Sequence, residues 1–144
     1  MRSMNVNVVI ATLRRPSIKA LLDSLNRQTL PRDKWQTIIR GPNQQDINEY
    51  DARNRAAAKS KNEVLCFLDD DTNVPPDYLE RGLRYFEDEE VLVMDCAIEG
   101  NLLGKEWMRL DEPMLGIGAT LWIRRGAFKI MNGFETNWGL SGQV

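Results

Sequence analysis

The sequence contains no histidine. That excludes Ser-His-Asp triads, imidazole bases and His-ligated zinc. Cysteine is scarce: Cys66 and Cys96 both fall in strand-like apolar runs and read as reduced core residues. Neither sign of charge dominates, since 19 Lys and Arg stand against 21 Asp and Glu for a net charge of −2. The basic face that a nucleic-acid polymer needs is therefore missing. No apolar run approaches the ~20 residues that span a bilayer. Val8-Val9-Ile10-Ala11, followed by Arg14-Arg15, is too short for a signal peptide. Repeats, low-complexity tracts and linkers are absent too. What remains is 144 residues, 42% of them hydrophobic, enough for one domain with a real core. The expected organisation is a single domain over residues 1–144.

The apolar pattern alternates between strand and helix. Asn5–Ala11 reads as a buried first strand. Pro16 suits the first turn of a helix that carries Ile18, Leu21, Leu22 and Leu25 and stops before Pro31. Trp35–Ile39 reads as a second strand, with Gly41-Pro42-Asn43 as a turn. Glu49–Lys59 reads as a helix in which Ala52, Ala56, Ala57 and Ala58 allow close packing. Val64–Leu68 is a third strand, and Pro76–Glu87 a helix with Leu79, Leu83 and Phe86 inward. Val91–Ile98 reads as another strand, Gly116–Ile123 as an apolar run with small residues, and Arg124–Met131 as a short helix. This alternation predicts an α/β fold, a three-layer α/β/α sandwich with a mostly parallel central sheet.

The most informative stretch is Val64-Leu65-Cys66-Phe67-Leu68-Asp69-Asp70-Asp71. A buried strand ending in acids puts negative charge where open α/β sheets bind ligands. Adjacent carboxylates repel one another unless a cation or hydrogen-bond donors offset the charge. Four readings compete. The cluster could be a polar loop before the next helix. It could be a calcium loop, since Asp69, Asp71, Asn73, Asp77 and Glu80 fall at the ligand positions. Val74, however, occupies the place that needs glycine, and a strand precedes the loop. A phosphatase of the haloacid dehalogenase type would place a hydroxyl residue where Asn73 stands. The fourth reading is a metal–diphosphate site, in which Asp69 and Asp71 hold magnesium or manganese and leave positions for phosphate oxygens.

Through these residues the chain resembles a family-2 glycosyltransferase of the GT-A, Rossmann-like fold. Val8–Pro16 resembles the family's first strand and nucleotide-contacting loop. Ser24-Leu25 with Gln28 resembles its "SL..Q" helix, and Ala52-Arg53-Asn54-Arg55-Ala56 its "ARN.G" helix. Phe67–Asp71 followed by Pro75–Glu80 resembles the metal motif and the helix after it. Arg124-Arg125-Gly126-Ala127-Phe128 and Asn132-Gly133-Phe134-Glu135 resemble its "RR.AF...GGFDE" segment. The resemblance implies a nucleotide-diphospho-sugar donor, a divalent metal (manganese or magnesium) and sugar transfer to an acceptor hydroxyl with inversion. Carried over by position, it implies Thr12, Arg14, Arg53 and Asp70 as nucleotide-sugar contacts. Asp71 would be the metal ligand, with Asp69 supporting it. Solvated surface charge is an equal alternative for Arg14 and Arg53 and the leading reading for Arg15 and Arg55. Trp107 and Trp138 are candidates for stacking on a sugar, or for ordinary packing.

Two departures stand out. Arg40-Gly41-Pro42-Asn43 follows the second strand where the family carries an acid that recognises uracil. Gln143-Val144 falls where a Glu-Asp pair, one of them the base, is expected. The catalytic base is thus unassigned, and an earlier acid such as Glu135, Asp111 or Glu112 would have to serve if the chain transfers sugar alone. The sequence is expected to bind donor and, on its own, to transfer sugar poorly. The rival reading is a nucleotide-sugar-binding module without turnover, or a subunit that relies on a partner. The expected location is cytoplasmic, free or peripheral to a membrane. Acceptor and oligomeric state are left open.

Overall fold

The computed structural model describes residues 4–12, 18–41, 46, 48–95 and 120–134. Five strands form one sheet: β1 (Val6–Ala11), β2 (Trp35–Arg40), β3 (Val64–Asp69), β4 (Val93–Asp95) and β5 (Thr120–Arg124). Their spatial order is β2-β1-β3-β5-β4. β1 pairs in parallel with β2 and β3, and β5 runs antiparallel to both β3 and β4. Four strands therefore share one direction, as the apolar runs predict for a mostly parallel sheet covered on both faces.

Four helices supply the cover: α1 (Ile18–Leu25), α2 (Glu49–Ala57), α3 (Tyr78–Tyr85) and α4 (Arg125–Ile130). Alternation along the strands divides the core in two. Val6, Val8 and Ile10 of β1 and Val64, Cys66 and Leu68 of β3 meet Leu21 and Leu25 of α1 and Leu79 and Leu83 of α3. On the opposite face Val9, Leu65, Phe67 and Ile123 meet Ala56 and Ala57 of α2 and Phe128 of α4. The layers are α/β/α. Asn7 is the polar exception on that second face. Its buried Oδ1 accepts from the Lys61 and Asn62 amides at 3.2 and 3.0 Å, so the group is satisfied.

Several element limits differ from the sequence expectation by one residue, and three differ by more. The third helix begins at Tyr78 rather than Pro76, because Pro75 and Pro76 form a turn closed by the Tyr78 N–H on the Pro75 carbonyl. Its predicted inward residues, Leu79, Leu83 and Phe86, are all buried. On α2, Ala52, Ala56 and Ala57 pack inward as expected, but Ala58 follows the helix end and is exposed. The predicted strand Val91–Ile98 is observed as Val93–Asp95, at the sheet edge, where Leu92 and Val93 are half exposed. Pro16 and residues 96–98 lie outside the described residues, Cys96 among them; Cys66 is fully buried.

Candidate functional site

The chain leaves β1 for β2 on one side and returns to β3 on the other. Strand order thus reverses between β1 and β3, the place in an open α/β sheet where a ligand crevice forms beyond the carboxyl ends. Ala11 and Asp69 are partners in the β1–β3 register, which brings Thr12 and the three carboxylates to that crevice. Asp70 is buried, and its Oδ2 accepts from the Thr12 hydroxyl at 3.1 Å. Asp69 is half-buried and pairs with the Arg53 guanidinium of α2, Nη2 to Oδ1 at 2.5 Å. Burial pushes the Asp69 carboxyl up to about 6 against the lowering effect of Arg53; Glu49, Asp71 and Asp70 add to the rise. Asp71 is exposed at the tip.

The loop beyond these acids is fastened to α1 and the turn after it. Ser24 Oγ accepts from the Val74 amide, and Gln28 donates from Nε2 to the Pro75 carbonyl at 2.7 Å. Gln28 Oε1 accepts from the Leu79 amide at 2.9 Å, satisfying a donor in the first turn of α3. The Thr29 amide donates to the Pro76 carbonyl. One residue of the "SL..Q" pattern thus holds both ends of the turn that follows the carboxylates.

Arg53 is only 3% exposed, so it is a buried side chain and not solvated surface charge. Its Cζ lies 5.5 Å from the Tyr50 ring and 5.8 Å from the Phe134 ring. Phe134 is carried there by Asn54, whose side-chain amide donates to the Phe134 carbonyl at 2.9 Å and accepts from its N–H at 2.8 Å. Arg55 is half exposed and reaches Asp46 and Asp51. Arg40, at the end of β2, forks onto Asp46 through Nε and Nη2, and the Asp46 side chain is fully buried. The sequence reading did not single out Asp46, Tyr50 or the Asn54 amide bridge. The "ARN" and "GF" patterns point to the right segments but not to their pairing. Arg14, Trp107, Trp138, Glu135, Asp111, Glu112 and Gln143-Val144 lie outside the described residues.

The donor set at the β3 tip is all carboxylate oxygen, the chemistry that hard divalent cations take. Among the described residues no three acidic, cysteine or histidine side chains gather to hold a metal ion by themselves. Exposed Asp71, with Asp69 beside it, fits an ion that brings further oxygens with a bound phosphate. Magnesium and manganese sites commonly have this form.

The family model described as glycosyl transferase family 2 matches residues 37–142. The chain belongs to that family. Solved structures agree on the fold of this family-2 chain. The mannosyltransferase PcManGT from Pyrobaculum calidifontis, in complex with GDP-Man and Mn2+, gives a TM-score of 0.76 at 18% identity, covering 95% of this chain and 49% of that one. TarS 1-349 from S. aureus gives 0.73 at 15% identity, covering 92% and 51%. The same TarS fragment in complex with UDP-GlcNAc gives 0.71 at 16%, covering 92% and 49%. This chain thus spans about half the length of the structures it matches. No curated protein matches it by sequence. Among the described residues no helix is long and apolar enough to cross a membrane.

Proposed function

We propose that this family-2 chain is a single domain that binds a nucleotide-diphospho-sugar with a divalent cation and serves transfer of the sugar to an acceptor hydroxyl with inversion. The observation that carries the reading is the meeting of Thr12–Asp70 and Arg53–Asp69 at the β1–β3 switch point. In this reading the Thr12–Asp70 pair meets the nucleoside, Arg14 is a further nucleotide contact by its place in the sequence motif, and Arg53 lies toward the diphosphate, where a guanidinium complements phosphate oxygens. Asp71, supported by Asp69, holds the cation. When bound, the cation offsets the charge that develops on the departing diphosphate. Inversion requires the acceptor oxygen to attack the anomeric carbon from the face opposite the diphosphate while a base takes its proton. The base remains unassigned.

The neighbours' ligands set the probes. Calorimetry of the chain with GDP and with UDP, with and without manganese or magnesium, should show affinity that rises with the metal. Asp71→Asn should remove most of that rise, because a neutral amide is a poorer ligand for a hard cation. Equal affinity with and without metal for both nucleotides would sink the reading.

A further inference from the structure

We propose that Asn54 is a positioning residue for Arg53, acting through Phe134, and that it thereby sets the affinity of the site for a nucleoside diphosphate. The affinity part rests on the donor-binding reading above; the positioning part does not.

Asn54 follows Arg53 on α2, and successive helical side chains point about 100° apart. Asn54 therefore acts on its neighbour by way of a third residue. Its amide closes a two-bond ring on Phe134, donating to the carbonyl at 2.9 Å and accepting from the N–H at 2.8 Å, across 80 residues of sequence. The turn that delivers Phe134 is shaped for this contact. Asn132 and Gly133 both take left-handed φ values, 66° and 75°. A Cβ on Gly133 would stand 2.6 Å from the Asn54 Oδ1, so the approach itself requires glycine.

The ring of Phe134 is then set edge-on against Phe67, with centroids 5.0 Å apart and planes at 79°, and against Phe128 at 5.5 Å. Neither neighbour leaves it free to turn away. On the Arg53 side, Phe134 and Tyr50 lie at 5.8 and 5.5 Å from the guanidinium carbon, within cation–π reach. Arg53 has its Nη2 on Asp69, while among the described residues its buried Nε has no hydrogen-bond partner. One hydrogen bond fixes where a guanidinium sits but not its plane. The two rings fix the plane, and Asn54 fixes one of the rings.

The test uses the full 15N-labelled chain. The Arg53 Nε–H is buried, and the guanidinium carbon beside it lies 5.5 and 5.8 Å from two ring centroids, so its cross-peak should be shifted by ring currents and exchange slowly with water. In Asn54→Ala the peak should move toward its free-arginine position, and metal-supported GDP or UDP affinity should fall roughly five- to tenfold, the scale of one lost hydrogen bond. Asn54→Asp keeps the acceptor for the Phe134 N–H and should restore part of both signals. Phe134→Leu leaves the backbone bonds and removes the ring; it should displace the peak alike, and it decides the matter if Asn54→Ala does not fold. An unmoved Arg53 peak in the folded variants overturns the proposal. So does an affinity loss from Asn54→Ala that is undiminished in an Arg53→Ala background, because the effect would then not pass through Arg53. A wild-type chain that binds neither nucleotide removes the donor-binding reading, and the cross-peak still decides the positioning.

Discussion

At the residue scale the site depends on a few polar contacts made across long stretches of chain. Asp70 is 2% exposed, and a carboxylate at that depth needs donors. The Thr12 hydroxyl is one of them, at 3.1 Å. Thr12→Val keeps the shape and removes the donor, so urea unfolding should show a loss of about 1–3 kcal/mol, the range for a hydrogen bond to a charged group. Thr12→Ser should recover most of it. A stability loss in Ser with none in Val would show that the threonine methyl, not the hydroxyl, matters. The acids themselves were legible in the sequence, because an apolar run ending in three carboxylates leaves little choice about where they sit. Their partners were not. Thr12 and Asp70 are 58 residues apart and Asn54 and Phe134 are 80 apart. No local period records such pairs. Arg40 and Asp46 are near in sequence, but nothing in a polar stretch marks that its one acid will be buried on the arginine.

At the scale of elements, spacing carried most of the information. β3 was legible as an unbroken apolar run and β1 as one interrupted by Asn7, and the inward residues of α1 and α3 from helical spacing, because burial on a sheet face enforces both periods. The ends were less legible: Phe86 keeps the period of α3 yet falls at the C-cap beyond Tyr85, since burial outlasts the helical hydrogen bonds. α3 also contains an element-level trade that the sequence hides. Gly82 sits mid-helix, where alanine would normally gain up to about 1 kcal/mol. Here a Cβ would lie 2.3 Å from Cζ2 and 2.5 Å from Cη2 of Trp122. That indole is fully buried, stacked near Phe86 at 6.1 Å, with its N–H on the Tyr78 hydroxyl at 2.9 Å. It cannot give way without losing those contacts, and overpacking of this kind costs about 1–3 kcal/mol. Gly82→Ala should therefore lower the thermal midpoint. A midpoint equal to or above wild type would mean that the α3–β5 packing is looser than the distances state.

At the scale of the whole molecule, stability should be graded across the sheet from its centre to one edge. β1 is paired along all six residues with both β2 and β3, and every one of those residues is buried. β3 is paired on both sides and buried from Val64 to Leu68. Among the described residues β4 pairs with β5 alone, over three residues, beside half-exposed Leu92 and Val93. Opening a segment exposes its buried apolar surface and releases its ladder bonds, so local opening energies run from near zero at an edge to the global value at the centre. Native-state hydrogen exchange should accordingly find the slowest amides within residues 7–10 and 65–68, and much faster exchange over 93–95. The site lies at the carboxyl ends of the two slowest strands, so Thr12 and Asp69–Asp71 hang from the most rigid part of the fold. A nucleotide held there should slow exchange in the loop after β3 more than in the strands, which have little opening left to suppress. Amides of 93–95 as slow as those of β1 would overturn this grading, and would mean that the β4 edge is covered in solution.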